Sequence, residues 1–315
     1  MRRTAVAAAL AVALAGAGCV RSHVPLSTHE TKTFPSAAGK LVRVDASSLD
    51  IDVTVAPATA ITAEVEVNAR SSSRAAARRW VETHAPVFED SAATLEVRQP
   101  SRRSGGVVFG FLDANARVRL TVPPECRLEV RTSSGDIAVS GDAALSGPVR
   151  ITTTSGDVTV SGGLKELVVK TTSGDVTVKR QPLAVLEADT TSGDVTLESG
   201  TDRAIVDTTS GSVRLERLSG PLSADASSGD VAASWAALAP GAKVRIHTSS
   251  GEVRMRIPEA APVRGHIATR SGAIRSDVQG TGDRQDHELS LEVPGEAAEM
   301  DVQTSSGDVT LHRHP

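Results

Sequence analysis

One tetrapeptide pattern constrains the fold of this chain more than any other feature. Ser, Gly, a variable residue and then Val or Ile recur nine times between residues 134 and 309. Successive copies are 18 to 22 residues apart, except for a last interval of 35 residues. A period of this length is typical of solenoid coils. The repeat glycines are Gly135, Gly156, Gly174, Gly193, Gly211, Gly229, Gly251, Gly272 and Gly307.

Apolar residues flank these glycines at fixed distances. The residue five positions before the glycine is apolar in all nine copies, and the residue two positions after it is always Val or Ile. Such alternation on both sides of a glycine predicts a strand, a turn and a second strand. We expect the glycine to supply a positive φ at the turn. Thr, which suits a half-buried strand surface, stands three positions before it in eight copies.

Stacking is the way for such short units to become stable. A lone two-stranded hairpin is marginal in water, whereas stacked units bury the same face repeatedly. The sequence therefore predicts an all-β fold, a β-solenoid or β-helix-like stack of 18–22-residue coils over residues 127–315. The chain has no Tyr and only 2% aromatic residues, which fits a narrow aliphatic interior. A meander of hairpins in a sandwich is the alternative fold, and the handedness is not specified.

Residues 33–126 predict a β-rich cap with one short helix. Residues 41–44, 51–55, 61–67, 95–97 and 118–122 alternate like strands, and residues 71–84 read as the helix. Ser48-Leu49-Asp50-Ile51 is a degenerate copy of the repeat, with Leu49 in place of the glycine. All four Phe residues lie in this region, which indicates a different packing mode. Solenoid ends need such caps because they expose backbone and core.

The 35-residue interval and Trp235 add two smaller expectations. An additional strand is predicted over residues 287–293, inside the long interval. Trp235 follows a strand and is placed in an inter-strand loop, as a packing plug or an exposed contact point.

The amino terminus predicts export. Arg2 and Arg3 precede an uncharged run from residue 5 to 15, which ends in small residues before Cys19. This pattern predicts a signal peptide over residues 1–18, and its apolar run of eleven residues is too short to remain as a membrane span. The stretch resembles a bacterial lipoprotein signal, in which Cys19 is lipidated and becomes the mature N-terminus. Gly16 departs from that pattern, which prefers an aliphatic residue.

Localisation and cysteine pairing follow from this interpretation. Lipidation of Cys19 predicts an exported protein anchored to a membrane of the cell envelope, whereas cleavage after Ala15 or Ala17 predicts a secreted or periplasmic soluble one. Residues 19–32 are polar and lack periodicity, so we expect a tether. Cys126 is unpaired if Cys19 is acylated, and could pair with it otherwise.

A family resemblance joins these features. The strand Val118–Val122, the pair Pro123-Pro124, the strand Leu128–Val130 and the serial Thr-Ser-Gly-Asp-Val copies resemble the bacterial "putative adhesin" β-strand-repeat family over residues 33–315. The resemblance implies an exported or membrane-tethered domain of no established function, with no catalytic residues to transfer. It favours a non-enzymatic structural or binding role, with an envelope or surface protein or a polysaccharide as ligand.

The position after the repeat glycine carries most of the candidate chemistry. Stacked like charges about 4.8 Å apart repel by about 1 kcal/mol in water, so solvation, turn hydrogen bonds or a cation must offset them. Solvated turn aspartates are one interpretation, and weak divalent binding, with calcium as the ion, is another. Calcium prefers about 6 to 8 oxygens, so one carboxylate per coil is a thin shell. The aspartates are Asp136, Asp157, Asp175, Asp194, Asp230 and Asp308.

Two further functional classes are a polysaccharide-active enzyme and a nucleic-acid-binding protein. A polysaccharide-active β-helix enzyme could use stacked aspartates with Arg214, Arg245 and Arg254. However, an aspartate at the same turn of most coils is a structural regularity, and sugar-stacking aromatic residues are missing from most repeats. The net charge of −4 argues against a nucleic-acid partner.

Overall fold

The computed structural model describes residues 24–71, 73–100, 112–281 and 287–315. They fall into two compact units, an N-terminal unit ending at Gly147 and a C-terminal unit from Pro148 to Pro315. The predicted signal peptide and Cys19 lie outside the described residues. No helix among the described residues is long and apolar enough to cross a membrane.

In its described residues, the N-terminal unit contains nine strands and one helix. Their bounds are β1 Val24–Pro35, β2 Leu41–Asp45, β3 Asp50–Val55, β4 Ala60–Ser71, α1 Arg74–His84, β5 Val87–Asp90, β6 Thr94–Arg98, β7 Leu112–Val122, β8 Arg127–Arg131 and β9 Ile137–Gly141.

These strands form two layers. One has the order β1-β4-β7-β3-β9, in which β4 is antiparallel to both neighbours and β3 is parallel to both of its own. The other has the order β8-β2-β6-β5, with only β5 antiparallel. The rings of Phe34 and Phe88 stack between the layers, with centroids 5.4 Å apart. This is the aromatic packing that the concentration of Phe residues suggested.

The predicted strands and helix of the cap are present. Helix α1 begins after Ser73, whose side chain accepts a hydrogen bond from the N–H of Ala76, and it buries Ala77 and Val81. The degenerate repeat copy is also confirmed. Leu49 takes the glycine's place, and Ile51 pairs in register with Ile137 of the first regular copy.

Two boundary predictions differ from the structure. The tether prediction is wrong for residues 24–32, because they belong to strand β1 and pair with β4 along its whole length. Their polar composition gives no strand pattern, because β1 is an edge strand and the apolar alternation lies on its partner, β4. The first regular coil, with β8 and β9, belongs to the N-terminal unit, so the compact units divide at residue 147 rather than 126.

Cys126 is buried and forms no disulfide within the described residues. Burial is the main cause that raises the pKa of its thiol, and Glu125 adds to the effect. The thiol is therefore neutral and poorly reactive at ordinary pH.

In its described residues, the C-terminal unit contains strands and no helix. They are β10 Val149–Thr152, β11 Val158–Val160, β12 Glu166–Thr171, β13 Val176–Val178, β14 Leu183–Thr190, β15 Val195–Leu197, β16 Thr201–Thr208, β17 Val213–Leu218, β18 Leu222–Ser228, β19 Val231–Trp235, β20 Lys243–Ser250, β21 Val253–Pro258, β22 Val263–Ser271, β23 Ile274–Ser276, β24 Glu288–Leu291, β25 Ala298–Ser306 and β26 Val309–His314.

Each coil contributes one strand to each of two sheets. The front sheet holds the strands that follow the repeat glycines, in the order β11-β13-β15-β17-β19-β21-β26-β23, and all its pairs are parallel. The back sheet holds the strands that precede them, in the order β10-β12-β14-β16-β18-β20-β25-β22-β24. Only the last pair there, β22 with β24, is antiparallel. Parallel stacking confirms the solenoid and excludes the hairpin meander.

The last coil of the chain is not the last coil of the stack. Strand β25 lies between β20 and β22, and β26 lies between β21 and β23. The C-terminal segment is thus inserted before the preceding coil, and β24, the predicted additional strand, pairs at the edge. Coil order could not be predicted because every coil carries the same pattern.

In the described residues of the C-terminal unit the interior is mainly aliphatic, and Trp235 is the one aromatic side chain buried there. Columns such as Ala188, Val206 and Ala224 lie in register and are buried. Trp235 ends strand β19, so its placement in a loop was wrong, and its interpretation as a packing plug is confirmed. It is 1% exposed, and its Nε1 donates to the carbonyl of Gly220 at 3.0 Å.

Candidate functional site

The repeat glycines are needed for space. A Cβ on Gly174, Gly193 or Gly211 would lie 2.0 Å from the carbonyl oxygen of the repeat glycine in the preceding coil. These three glycines have φ outside the left-handed region, so the expected positive φ is wrong for them. Gly229 and Gly251 have φ of 155° and 158°, at the border of the extended region. Close backbone stacking therefore explains the glycine column.

The buried threonine three residues before the glycine holds the turn. Its Oγ1 accepts a hydrogen bond at 3.0 Å from the glycine N–H in four successive coils. Sequence reasoning treated this Thr as a strand-surface residue and missed the hydrogen bond, although its fixed spacing was visible. The four are Thr153, Thr171, Thr190 and Thr208.

The aspartates after the glycines accept hydrogen bonds from backbone amides of the next coil, and we call this series the aspartate ladder. The N–H of Asp175 donates to Oδ1 of Asp157 at 2.9 Å, and the N–H of Asp194 donates to Oδ1 of Asp175 at 2.9 Å. Asp194 accepts in turn from Ser212 at 2.8 Å. One carboxylate oxygen per coil is therefore bound to the amide of the next coil, which offsets the repulsion along the column.

Two other predicted aspartates, Asp230 and Asp308, accept in the same way, whereas Asp136 donates through its backbone N–H. Glu252 donates its N–H to Asp230 at 2.9 Å, Ala273 to Asp308 at 2.8 Å, and in the N-terminal unit Asp136 donates to Asp50 at 3.4 Å. The backbone bond from Ala273 is the main cause that lowers the pKa of Asp308. Among the described residues, no three His, Cys, Asp or Glu side chains are grouped to hold a metal ion.

We expect the substitution Asp175→Ala to destabilise the C-terminal unit by about 1 kcal/mol, because the amide of Asp194 loses a charged acceptor. The cost should be the same in calcium and in chelator. Urea unfolding of both proteins in each condition measures it, with Ser212→Ala as the control at a position that has no carboxylate. Calcium that stabilises the wild type but not the variant would instead identify the ladder as a divalent site.

A second acidic column, on the outer face of the back sheet, was not predicted. Asp189, Asp207 and Asp225 stand in direct register on β14, β16 and β18. Lys170 lies 3.2 Å from Asp189 at one end, and His247 lies 3.5 Å from Asp225 at the other. Aligning the sequence four residues before each glycine would have revealed the column.

This column borders a groove of about 770 Å³ that crosses the back sheet from β14 to β24. We call it the back-sheet groove. Its ionisable lining comprises Asp189, Asp207, Asp225, Glu288, Arg270 and His247. The carboxylates outnumber the permanent cations, so the groove carries a negative potential that suits positively charged groups of a ligand.

Asp207, in the middle of the column, has a perturbed pKa. Burial is the main cause that raises it, and the carboxylates of Asp225, Asp189 and Glu187 raise it further, while Lys170 opposes them. The folded protein therefore keeps this proton at a pH where the unfolded chain has lost it. Because the native state binds more protons there, the free energy of unfolding falls as the pH rises through that interval.

The substitution Asp207→Asn should therefore stabilise the protein by about 0.5 kcal/mol at neutral pH, since it removes a like charge from a cross-strand row. It should also reduce the loss of stability as the pH rises from just below the ordinary aspartate pKa. Urea unfolding from acidic to neutral pH measures both effects. A variant less stable than the wild type at neutral pH would show that this carboxylate is favourably paired.

The arginines proposed for a polysaccharide-active site do not converge. Arg214 and Arg254 lie on front-sheet strands β17 and β21, whereas Arg245 lies on β20 of the back sheet. Arg254 is paired with Glu252, two residues away in its own coil. Arg254 also lies 3.9 Å from Asp230, so one arginine meets the aspartate column, but Arg245 is on the opposite sheet and the three arginines do not share one site.

Comparison with models of known protein families matches the repeat region to one family. A family model described as Toastrack DUF4097 matches residues 42–312. No curated protein matches the chain.

Three solved structures are similar to this chain at low identity, and the first of them shows the same fold. One, described as a "putative lipid binding protein" from Parabacteroides distasonis, is 13% identical with a TM-score of 0.50, over 91% of this chain and 97% of its own. Another, a "putative adhesin" from Parabacteroides merdae, is 13% identical with a TM-score of 0.49, over 91% and 96%. A third, a "putative adhesin" from Bacteroides fragilis, is 11% identical with a TM-score of 0.39, over 94% and 100%.

Proposed function

Because the chain belongs to the Toastrack DUF4097 family, matched over residues 42–312, we propose that it is a non-enzymatic, adhesin-like binding module of the cell envelope. Its ligand is an envelope or surface protein or a polysaccharide. The observation that carries the proposal is the use of the turn carboxylates. They are bound to backbone amides of neighbouring coils, so the most regular polar feature of the sequence supports the fold.

Export and anchoring rest on the amino-terminal residues. The basic start, the short apolar run and Cys19 after two small residues support cleavage before Cys19 and its acylation. The lipid would hold the domain at a membrane surface. Mass spectrometry of the mature N-terminus tests this part, and an unmodified terminus would contradict it.

The back-sheet groove is the binding surface that we assign to this module. It is open, spans several coils, and presents carboxylates in a row on a rigid sheet. A solenoid face of this kind suits an extended ligand, since each coil repeats the same contact at about 4.8 Å intervals. Negative charge favours ligands with amino or guanidinium groups and makes binding weaker at high salt.

A binding assay on cell-envelope fractions tests the assignment. Purified protein and a triple variant, Asp189→Asn with Asp207→Asn and Asp225→Asn, are compared for the amount retained at low and high salt. We expect about tenfold weaker retention of the variant at low salt. The matched control replaces three stacked front-sheet residues, Thr159, Thr177 and Thr196, by Ala. Equal loss in both variants, or none in either, would contradict this surface.

A further inference from the structure

Strand β1 is a long strand at the edge of its sheet. It pairs with β4 over all twelve of its residues, from Val24 to Pro35. Within the described ranges, no strand pairs with its other side, since β1 stands first in the strand order. One row of its backbone N–H and C=O groups is therefore available to another strand.

The hydrogen bonds of the sheet identify that row. The N–H of Ala56 donates to the carbonyl of Val122 at 3.2 Å, so even-numbered residues of β7 direct their backbone groups to β3 and odd-numbered ones to β4. The odd residues of β7 lie opposite even residues of β4, so the even residues of β4 bond to β7. The odd residues of β4 therefore bond to β1. These lie opposite even residues of β1. The odd residues of β1 therefore face outward.

Two prolines support this assignment. Pro25 and Pro35 both occupy odd positions, where the missing N–H costs no hydrogen bond to β4. The prolines also bound the usable edge. Between them, the outward-facing donors belong to Ser27, His29, Thr31 and Thr33.

The charges on the strand favour one register of self-pairing. Glu30 and Lys32 form an ion pair at 3.2 Å on the same face of β1. If two copies pair antiparallel about Thr31, Glu30 of each lies opposite Lys32 of the other, and outward residues meet outward residues. Pairing about Glu30 would instead place two glutamates directly opposite each other, which is unfavourable.

We propose that this edge is a homodimerisation surface, at which β1 of two copies pairs antiparallel about Thr31 and continues the sheet across a twofold axis. The contact consists of main-chain hydrogen bonds and two Glu30–Lys32 pairs. It goes beyond the proposed function, since it does not involve the back-sheet groove. An extended segment of another protein, or a part of this chain outside the described residues, would be the competing occupant.

Disulfide cross-linking of the full chain in membranes tests the register. With Thr31→Cys, the two new thiols lie opposite each other at a Cα separation of about 5.5 Å, so mild oxidation should give a covalent dimer. With Thr33→Cys, the two thiols are offset by about 13 Å, and the dimer should be at least tenfold less abundant. The unsubstituted chain controls for Cys19 and Cys126. Equal cross-linking at both positions, or none at Thr31→Cys, would overturn the proposal.

Sedimentation equilibrium of the detergent-solubilised full chain tests the surface itself. The wild type should be dimeric. Thr31→Pro should be monomeric and should melt at the temperature that the wild type shows once dilution has dissociated its dimer, because the outward N–H does not serve β4. Lys32→Glu should weaken the dimer about tenfold, and the added substitution Glu30→Lys should restore it. A monomeric wild type, or a dimer that survives Thr31→Pro, would contradict the assignment.

Discussion

Replacing Gly193 with Ala should lower the free energy of unfolding of the C-terminal unit by about 3 kcal/mol or more, at the upper end of overpacking effects. The added Cβ would lie 2.0 Å from the carbonyl oxygen of Gly174 and 2.7 Å from its carbon. Both atoms are backbone in a coil that is paired in both sheets. Neither side can move without disturbing parallel hydrogen bonds, so the strain remains in the native state.

The matched control for this substitution is Gly147→Ala. A Cβ there meets nothing within 4 Å, and its φ lies outside the left-handed region, so stability should change by less than about 0.5 kcal/mol. Urea unfolding of both variants makes the comparison. If Gly193→Ala costs no more than Gly147→Ala, close stacking of the glycine column is not what requires glycine.

Replacing Trp235 with Ala should cost about 3–5 kcal/mol, the range for removing a large buried aromatic side chain. Trp235 is the largest of the fully buried side chains in the described part of the molecule, at 1% exposure. The aliphatic columns around it belong to hydrogen-bonded strands, so the cavity cannot collapse. The carbonyl of Gly220 also loses its indole partner.

The conservative variant Trp235→Phe separates these two contributions. It retains most of the apolar volume but leaves the Gly220 carbonyl without its donor, so a cost of about 1–3 kcal/mol is expected. Thermal and urea unfolding of the two variants measure the difference. A loss below about 1 kcal/mol for Trp235→Ala would mean that the indole is not a plug of the core.

The architecture was predictable because stacking leaves a period in the sequence. Fixed apolar positions around each glycine gave the two strands per coil, and they also revealed the copy in which Leu49 replaces glycine. Strand β1 was missed because only every second one of its residues makes apolar contacts. Its partner, strand β4, is also distant in the sequence, so the pairing is not visible locally. The inserted last coil was missed because identical patterns do not encode their order in the stack.

The candidate site was predicted only in part, for a related reason. The aspartates after the glycines were found, and hydrogen bonding was among the explanations offered for them, but the acceptor role depends on the neighbouring coil. The back-sheet column Asp189, Asp207 and Asp225 was present at a fixed offset from the glycines. That the three carboxylates lie side by side could be recognised from the strand register and not from the offset alone.

Amide hydrogen exchange tests most directly the claim that the turn carboxylates hold the coils together. The account predicts that Asp175→Ala accelerates exchange of the Asp194 amide by about tenfold or more, because its acceptor is removed. The amide of Val195, bonded to the carbonyl of Ser212, should keep its protection, and calcium should change neither rate. Unchanged exchange at Asp194 in the variant, together with calcium-dependent protection in the wild type, would contradict the account.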